Sequence, residues 1–313
     1  MTRITPRVVL LGPQAPLPTV GSVVKEIDPG GRVAVITAGW QEWESDLAGL
    51  RSQLGDVIVP LRLYQRAERI WEQDHELRVA HRRMQSDLKG IRRLYARQLD
   101  RAAEAWMELL ETEGPERIVG PEREAALEAI QRLDAHHLRR IDSVQTEFRD
   151  RMTPLERRSV SRARGEILQD LSGCSTVVIE GGHAAVLHNR IVLFDLMDEI
   201  RTRIVVGCAA GAMILGGRVV LYNDQPAIGR GNAEVGLPGH GLVPGVVALP
   251  DAAFRLRLDD RSRMRRLALR LSPDRCALLD PGHRLDWDGR AFTADGSRLV
   301  RRDGTLVPWD RAA

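Results

Sequence analysis

This sequence of 313 residues is short of three things: aromatic residues make up 4% of it, cysteines number 3, and lysine is confined to Lys25 and Lys89. Few aromatics means few stacking platforms for a single nucleic-acid strand, and acidic residues accompany the arginines throughout, which together argue against a nucleic-acid arm. Cys174, Cys208 and Cys276 are odd in number and lack metal-site spacing, so neither a disulfide framework nor a metal is expected, and a reduced, cytoplasmic compartment fits. No stretch approaches the roughly 20 apolar residues of a membrane span. The apolar run that closes at Leu11 is ended by Gly12, Pro13 and Pro16 before a signal-peptide core can form. A net charge of +3 from 46 basic and 43 acidic residues is a mixed surface, without the concentrated field of a polyanion binder.

What is present is an alternation of strand and helix. Residues 7–11 and 32–37 are apolar, β-branched runs closed by Gly12-Pro13 and Ala38-Gly39; helical spacing follows over 45–54, and a third strand over 56–61. This rhythm predicts an α/β fold, a mostly parallel sheet with helices on both faces. The alternation then stops for about 110 residues, far beyond an ordinary βα connection. Ile70, Leu77, Met84 and Ile91 recur every seven residues, with Leu88, Tyr95, Ala102 and Leu109 interleaved, so one long helix over 64–111 is expected, its seam flawed at Asp74 and His81. Such a helix spans on the order of 70 Å and must project or pack along something long. Gly120-Pro121 predicts the start of a returning helix, and Thr153-Pro154-Leu155-Glu156 a capping box opening a third that runs to Leu171. Residues 62–171 thus form an inserted helical hairpin or coiled-coil arm, and 1–61 with 172–313 the discontinuous α/β domain. The arm either folds on itself or carries a homo-oligomer or protein partner.

The sheet resumes over 175–180, followed by Gly181-Gly182-His183 and an amphipathic helix over 186–200. Residues 204–216 then read as a strand, a turn of small residues and a helix, which is how a nucleophile elbow is written. The elbow pattern Gly-x-Ser-x-Gly is occupied here by Gly207, Cys208, Ala209, Ala210 and Gly211. The turn is present and its nucleophile is absent, because a methyl group cannot attack a carbonyl.

The Gly-Gly loop, helix, strand, elbow and helix in this order resemble the cyanophycinase and dipeptidase E family of serine peptidases. That family has the class I glutamine-amidotransferase-like fold, a flavodoxin-like α/β architecture. The resemblance covers roughly residues 5–61 and 175–300 and leaves the helical insertion outside it. It places the serine at Ala209 and the catalytic histidine at Ala253, within Asp251-Ala252-Ala253-Phe254, so both halves of the pair are alanine. It also implies an oxyanion hole from backbone amides near Gly181, Gly182 and Ala210, which survive side-chain change. His183 stands where the family has an amide or carboxylate, and Asp280-Pro281-Gly282-His283 departs from the family's terminal strand.

Two functions are therefore expected. The first is a catalytically inactive, peptidase-like protein whose residual cleft takes a peptide or small molecule at Gly181, Gly182, His183 and Ala210, without cofactor or metal. The second is a peptidase or amide hydrolase with displaced groups: Cys208, one residue out of register and expected beneath the sheet, together with His183 or His283.

Overall fold

The computed structural model describes residues 8–225 and 232–309; Arg7 of the expected first strand lies outside them. Val8–Leu11 (β1) leads to helix Val20–Ile27 (α1), strand Val33–Ile36 (β2), helix Ala48–Leu54 (α2) and strand Ile58–Pro60 (β3). Helices Leu63–Gln73 (α3), His75–Glu111 (α4), Glu116–Met152 (α5) and Arg158–Ser172 (α6) follow. The α/β pattern returns with strand Thr176–Ile179 (β4), helices Ala184–Leu193 (α7) and Met197–Ile200 (α8), strand Ile204–Cys208 (β5) and helix Ala210–Leu215 (α9). Strands Arg218–Leu221 (β6), Glu234–Pro238 (β7) and Val246–Pro250 (β8) precede helices Ala252–Arg255 (α10) and Arg261–Leu271 (α11). The described chain closes with strands Arg275–Leu279 (β9), Arg284–Trp287 (β10), Phe292–Asp295 (β11), Arg298–Val300 (β12) and Leu306–Pro308 (β13).

Seven strands form the main sheet in the order β11-β10-β1-β5-β4-β2-β3. Its five-strand body is parallel, and β10 and β11 extend it antiparallel past β1. The parallel order β1-β5-β4-β2-β3 differs from the flavodoxin order 2-1-3-4-5 in putting the first strand at the rim of the parallel set. β1, β2 and β4 are buried along their whole length, as expected of strands covered on both faces. Val9, Leu11, Val33, Val35, Val178 and Val206 face one layer, covered by α1 and α2. Val8, Leu10, Ala34, Ile36, Val177, Ile179 and Val205 face the other, which holds α3, α6, α7 and α9. A second sheet, β13-β12-β9-β8, joins this larger core, and β6 pairs with β7.

The long helix expected over 64–111 is two helices. Asp74 separates α3 from α4: it accepts the Leu77 amide at 2.9 Å as an N-cap, and Arg157 holds both its carboxylate oxygens at 2.9 and 2.8 Å. The residue that spoilt the seam is a helix boundary. Ala67, Ile70, Trp71, Ile167 and Leu171 of α3 and α6 share the core of the main sheet, as do Leu77 and Met84 of α4 and Phe148 and Met152 of α5. α5 starts at Glu116 rather than at Pro121, which lies inside it. Thr153 adopts φ 38° and closes α5, so the expected capping box gives only a turn at Pro154–Glu156 before α6. The helix expected over 186–200 is broken at Asp195, φ 48°, and β12 and β13 pair as an antiparallel hairpin.

The α4–α5 pair does not project; it lies on the body and is pinned there. Arg270 of α11 donates to both Asp134 oxygens of α5, at 2.8 and 2.7 Å, and to the Tyr95 hydroxyl of α4 at 2.9 Å. Tyr95 in turn donates to Asp134 at 2.7 Å and accepts the Val235 amide of β7 at 3.1 Å. Arg270, Asp134 and Tyr95 are all buried, with His137 stacked on the tyrosine at 3.9 Å. A buried bidentate pair with its remaining donors used is a geometry that offsets the cost of drying two charges.

Candidate functional site

The turn between β5 and α9 has a backbone that few residues with side chains adopt: Ala209 sits at φ 49° and ψ −113°. Its amide donates to the Leu11 carbonyl at 3.0 Å, and its carbonyl accepts from Met213 at 3.1 Å. Both flanking glycines are required by space. A Cβ on Gly207 would stand 2.9 Å from the Ala212 nitrogen, and one on Gly211 2.0 Å from the Ile179 carbonyl oxygen. Tight neighbours hold residue 209 in a strained turn at the carboxyl edge of the sheet. The group held there is a methyl.

The Gly-Gly loop after β4 closes against this turn. A Cβ on Gly181 would lie 3.0 Å from the Ala209 methyl and 3.6 Å from the Ala210 nitrogen. Gly182, at φ 97°, lies so close to Gly39 that a Cβ would stand 2.3 Å from its carbonyl oxygen, and the His183 amide donates to that same oxygen at 2.8 Å. The His183 ring caps α7, its Nδ1 accepting the Val186 amide at 3.3 Å.

Above them lies a cleft of about 650 Å³. Gly182, His183, Ala209 and Ala210 line its floor, with Gly181 buried behind; Leu221, Tyr222 and Leu237 form a wall, and Pro250, Asp251 and Arg255 a flank. Gln85, Leu88, Lys89 and Arg92 of α4 and Ile141 and Gln145 of α5 make the roof. The roof was not legible in the sequence, because Gln85, Lys89 and Arg92 fall between the apolar rows and read as a solvated face. Arg92 pairs with Glu234 at 2.8 Å and Arg255 with Asp251 at 3.3 Å, whereas Lys89 has no ion pair among the described residues.

Ala253 lies between Asp251 and Arg255, and its amide donates to Asp280 Oδ1 at 2.7 Å. Asp280 is buried and also meets Arg298 at 3.4 Å, so its carboxylate fixes the backbone at residue 253. His283 turns the other way: its Nδ1 accepts the Asp280 amide at 3.2 Å, and the ring packs against Gly296. It does not line the cleft.

Cys208 is fully buried in the opposite layer, among Val9, Leu11, Val178 and Val206, and does not line the cleft either. Burial, then the adjacent Glu180 carboxyl, drives its thiol pKa well up, which disfavours the thiolate a nucleophile needs. Glu180 is 5% exposed, and burial raises its pKa to about 7 against opposing hydrogen bonds from Cys208 and the Gly181 amide. Its Oε1 has no protein partner among the described residues. Glu180 was not singled out from the sequence, although a carboxylate at the end of a wholly apolar strand is a readable signal. Among the described residues no group of three or more His, Cys, Asp or Glu is placed to hold a metal, and no helix is long and apolar enough to cross a membrane.

No protein-family model matches this chain, and no curated protein matches it. Among solved structures, a peptidase from an acI-B1 Actinobacterium is similar at 12% identity and a TM-score of 0.41, over 96% of this chain and 92% of that one.

Proposed function

We propose that this chain is a non-catalytic, peptidase-like binding protein whose cleft between the elbow and the α4–α5 roof holds a peptide or small molecule without cleaving it. The observation that carries the reading is the Ala209 methyl at the tip of a strained, glycine-flanked elbow. A strained turn is stabilised by its surroundings at a cost of order 1–3 kcal/mol, and here it presents no reactive group. Ala253, between the cleft-lining Asp251 and Arg255 in sequence, offers no proton shuttle either. What remains is binding: the amides of Gly182 and Ala210, the His183 edge, and a roof that carries Lys89 and Arg92.

The cyanophycinase and dipeptidase E relationship belongs to this proposal and rests on the motif order and the elbow. The displaced-group hydrolase is the weaker reading, since Cys208 lies in the other core layer and His283 faces away from the cleft. An oligomer or protein partner held through the arm is part of the same proposal; it would use the outer face, where Val79, Leu94 and Ile118 are exposed, and light scattering over a concentration series tests it. Activity-based labelling tests the main reading: a fluorophosphonate and a thiol-reactive probe should leave the native chain unmodified, and stoichiometric labelling of Cys208 coupled to peptide turnover would sink it.

A further inference from the structure

A second cleft, of about 540 Å³, lies beside the first between α4, α5, α7 and α8. Its walls are apolar, formed by Met84, Phe148, Ile191, Val192, Leu196 and Met197, while the charged groups Arg149, Glu156 and Asp195 stay exposed at its rim. His81 in its wall is held neutral, burial and then Arg190 pushing its pKa down to about 4. Gln145 and Asn189 line both clefts, so the two spaces share a wall that contains a pair of side-chain amides. Gln145 is 7% exposed, and the buried Nε2 of Gln85, on the roof of the first cleft, has no partner among the described residues. On the elbow side the lining charges are Lys89, Arg92 and Arg255 against Asp251.

The two clefts therefore offer opposite chemistries across a short amide divide. A small polar ligand would leave the apolar walls in water, and a purely apolar one would leave buried amides unpaired. We propose that one molecule spans both: an acyl-chain carboxylate of the N-acyl amino acid class, its anionic head above Gly182 and Ala210 and its tail past Gln145 and Asn189 in the second cleft. This rests on the binding reading of the first cleft and adds the ligand class.

The test is calorimetric titration of the full chain with N-acylglycines from acetyl to dodecanoyl, each below its micelle concentration. Affinity should rise about fourfold per methylene until the second cleft is full. Val192→Trp, which fills that cleft, should flatten the dependence and leave acetylglycine binding unchanged; Met197→Trp repeats the test from another wall if the first variant melts early. Lys89→Glu, on the exposed face of α4, should weaken every member by a common factor of about two to five. A flat wild-type series, or equal slopes in wild type and Val192→Trp, overturns the tail assignment. If the Lys89→Glu effect persists in that case, the first-cleft reading stands alone. Absence of binding by every member overturns both, and release of free glycine by the wild type overturns the non-catalytic reading while the slope still decides the tail.

Discussion

Replacing Glu180 by glutamine should change the pH dependence of stability in one direction and over one window. The carboxyl sits beneath the elbow with its pKa raised from 4.5 to about 7, burial being the main cause. Between those values the folded chain keeps a proton that the unfolded chain has lost. The unfolded state then binds fewer protons, and stability falls as pH rises. A shift of that size corresponds to about 3 kcal/mol, fully expressed above pH 7 and absent below pH 4.5. The imidazoles act oppositely: His81, His137 and His188, each lowered to about 4, and His240, lowered to about 3, make stability rise with pH up to their unfolded value of 6.5. They are common to wild type and variant, so the difference between the two proteins isolates residue 180. Urea unfolding at intervals from pH 4 to 8 should show wild type losing about 3 kcal/mol relative to Glu180→Gln across the window. A buried amide donor left unpaired in the variant adds a constant offset, not a slope. A pH-independent difference would mean that Glu180 does not hold its proton in the folded chain.

Other consequences are simpler to read. Asp134→Ala leaves Arg270 buried without its carboxylate and should cost about 3–5 kcal/mol in denaturant unfolding. Asp74→Ala removes both the α4 cap and the partner of Arg157, and a loss of about 1–2 kcal/mol is expected from the same measurement. Cys174, Cys208 and Cys276 are all buried, so a colorimetric thiol reagent should react slowly with native protein and with all three in guanidinium. Fast native reaction at Cys208 would contradict its placement.

Much of the α/β body was legible because its signals are local. Wholly apolar runs such as Val33–Ile36 and Thr176–Ile179 become buried parallel strands within a residue or two of their expected ends. The elbow was legible because its small residues are a local pattern: Gly207 answers to the backbone of the turn itself, although Gly211 answers to the Ile179 carbonyl of β4. What escaped depends on partners distant in sequence. Asp74 reads as a flaw in a heptad until Arg157, 83 residues away, is seen to hold it. Lys89 and Arg92 read as solvated helix face until α4 lies back over the elbow. Tyr95 reads as one more seam residue, although its hydroxyl joins α4 to α5, α11 and β7. The β12–β13 turn is carried by Asp303-Gly304, with Gly304 at φ 85°.

Under the proposed function this elbow keeps its strained turn and carries no reacting group. The direct measurement compares amide hydrolysis by wild type, by Cys208→Ala and by the double variant Ala209→Ser/Ala253→His, on one panel of dipeptides at neutral pH. No turnover by the first two and measurable turnover by the double variant is the predicted result. Wild-type turnover that disappears in Cys208→Ala would contradict it.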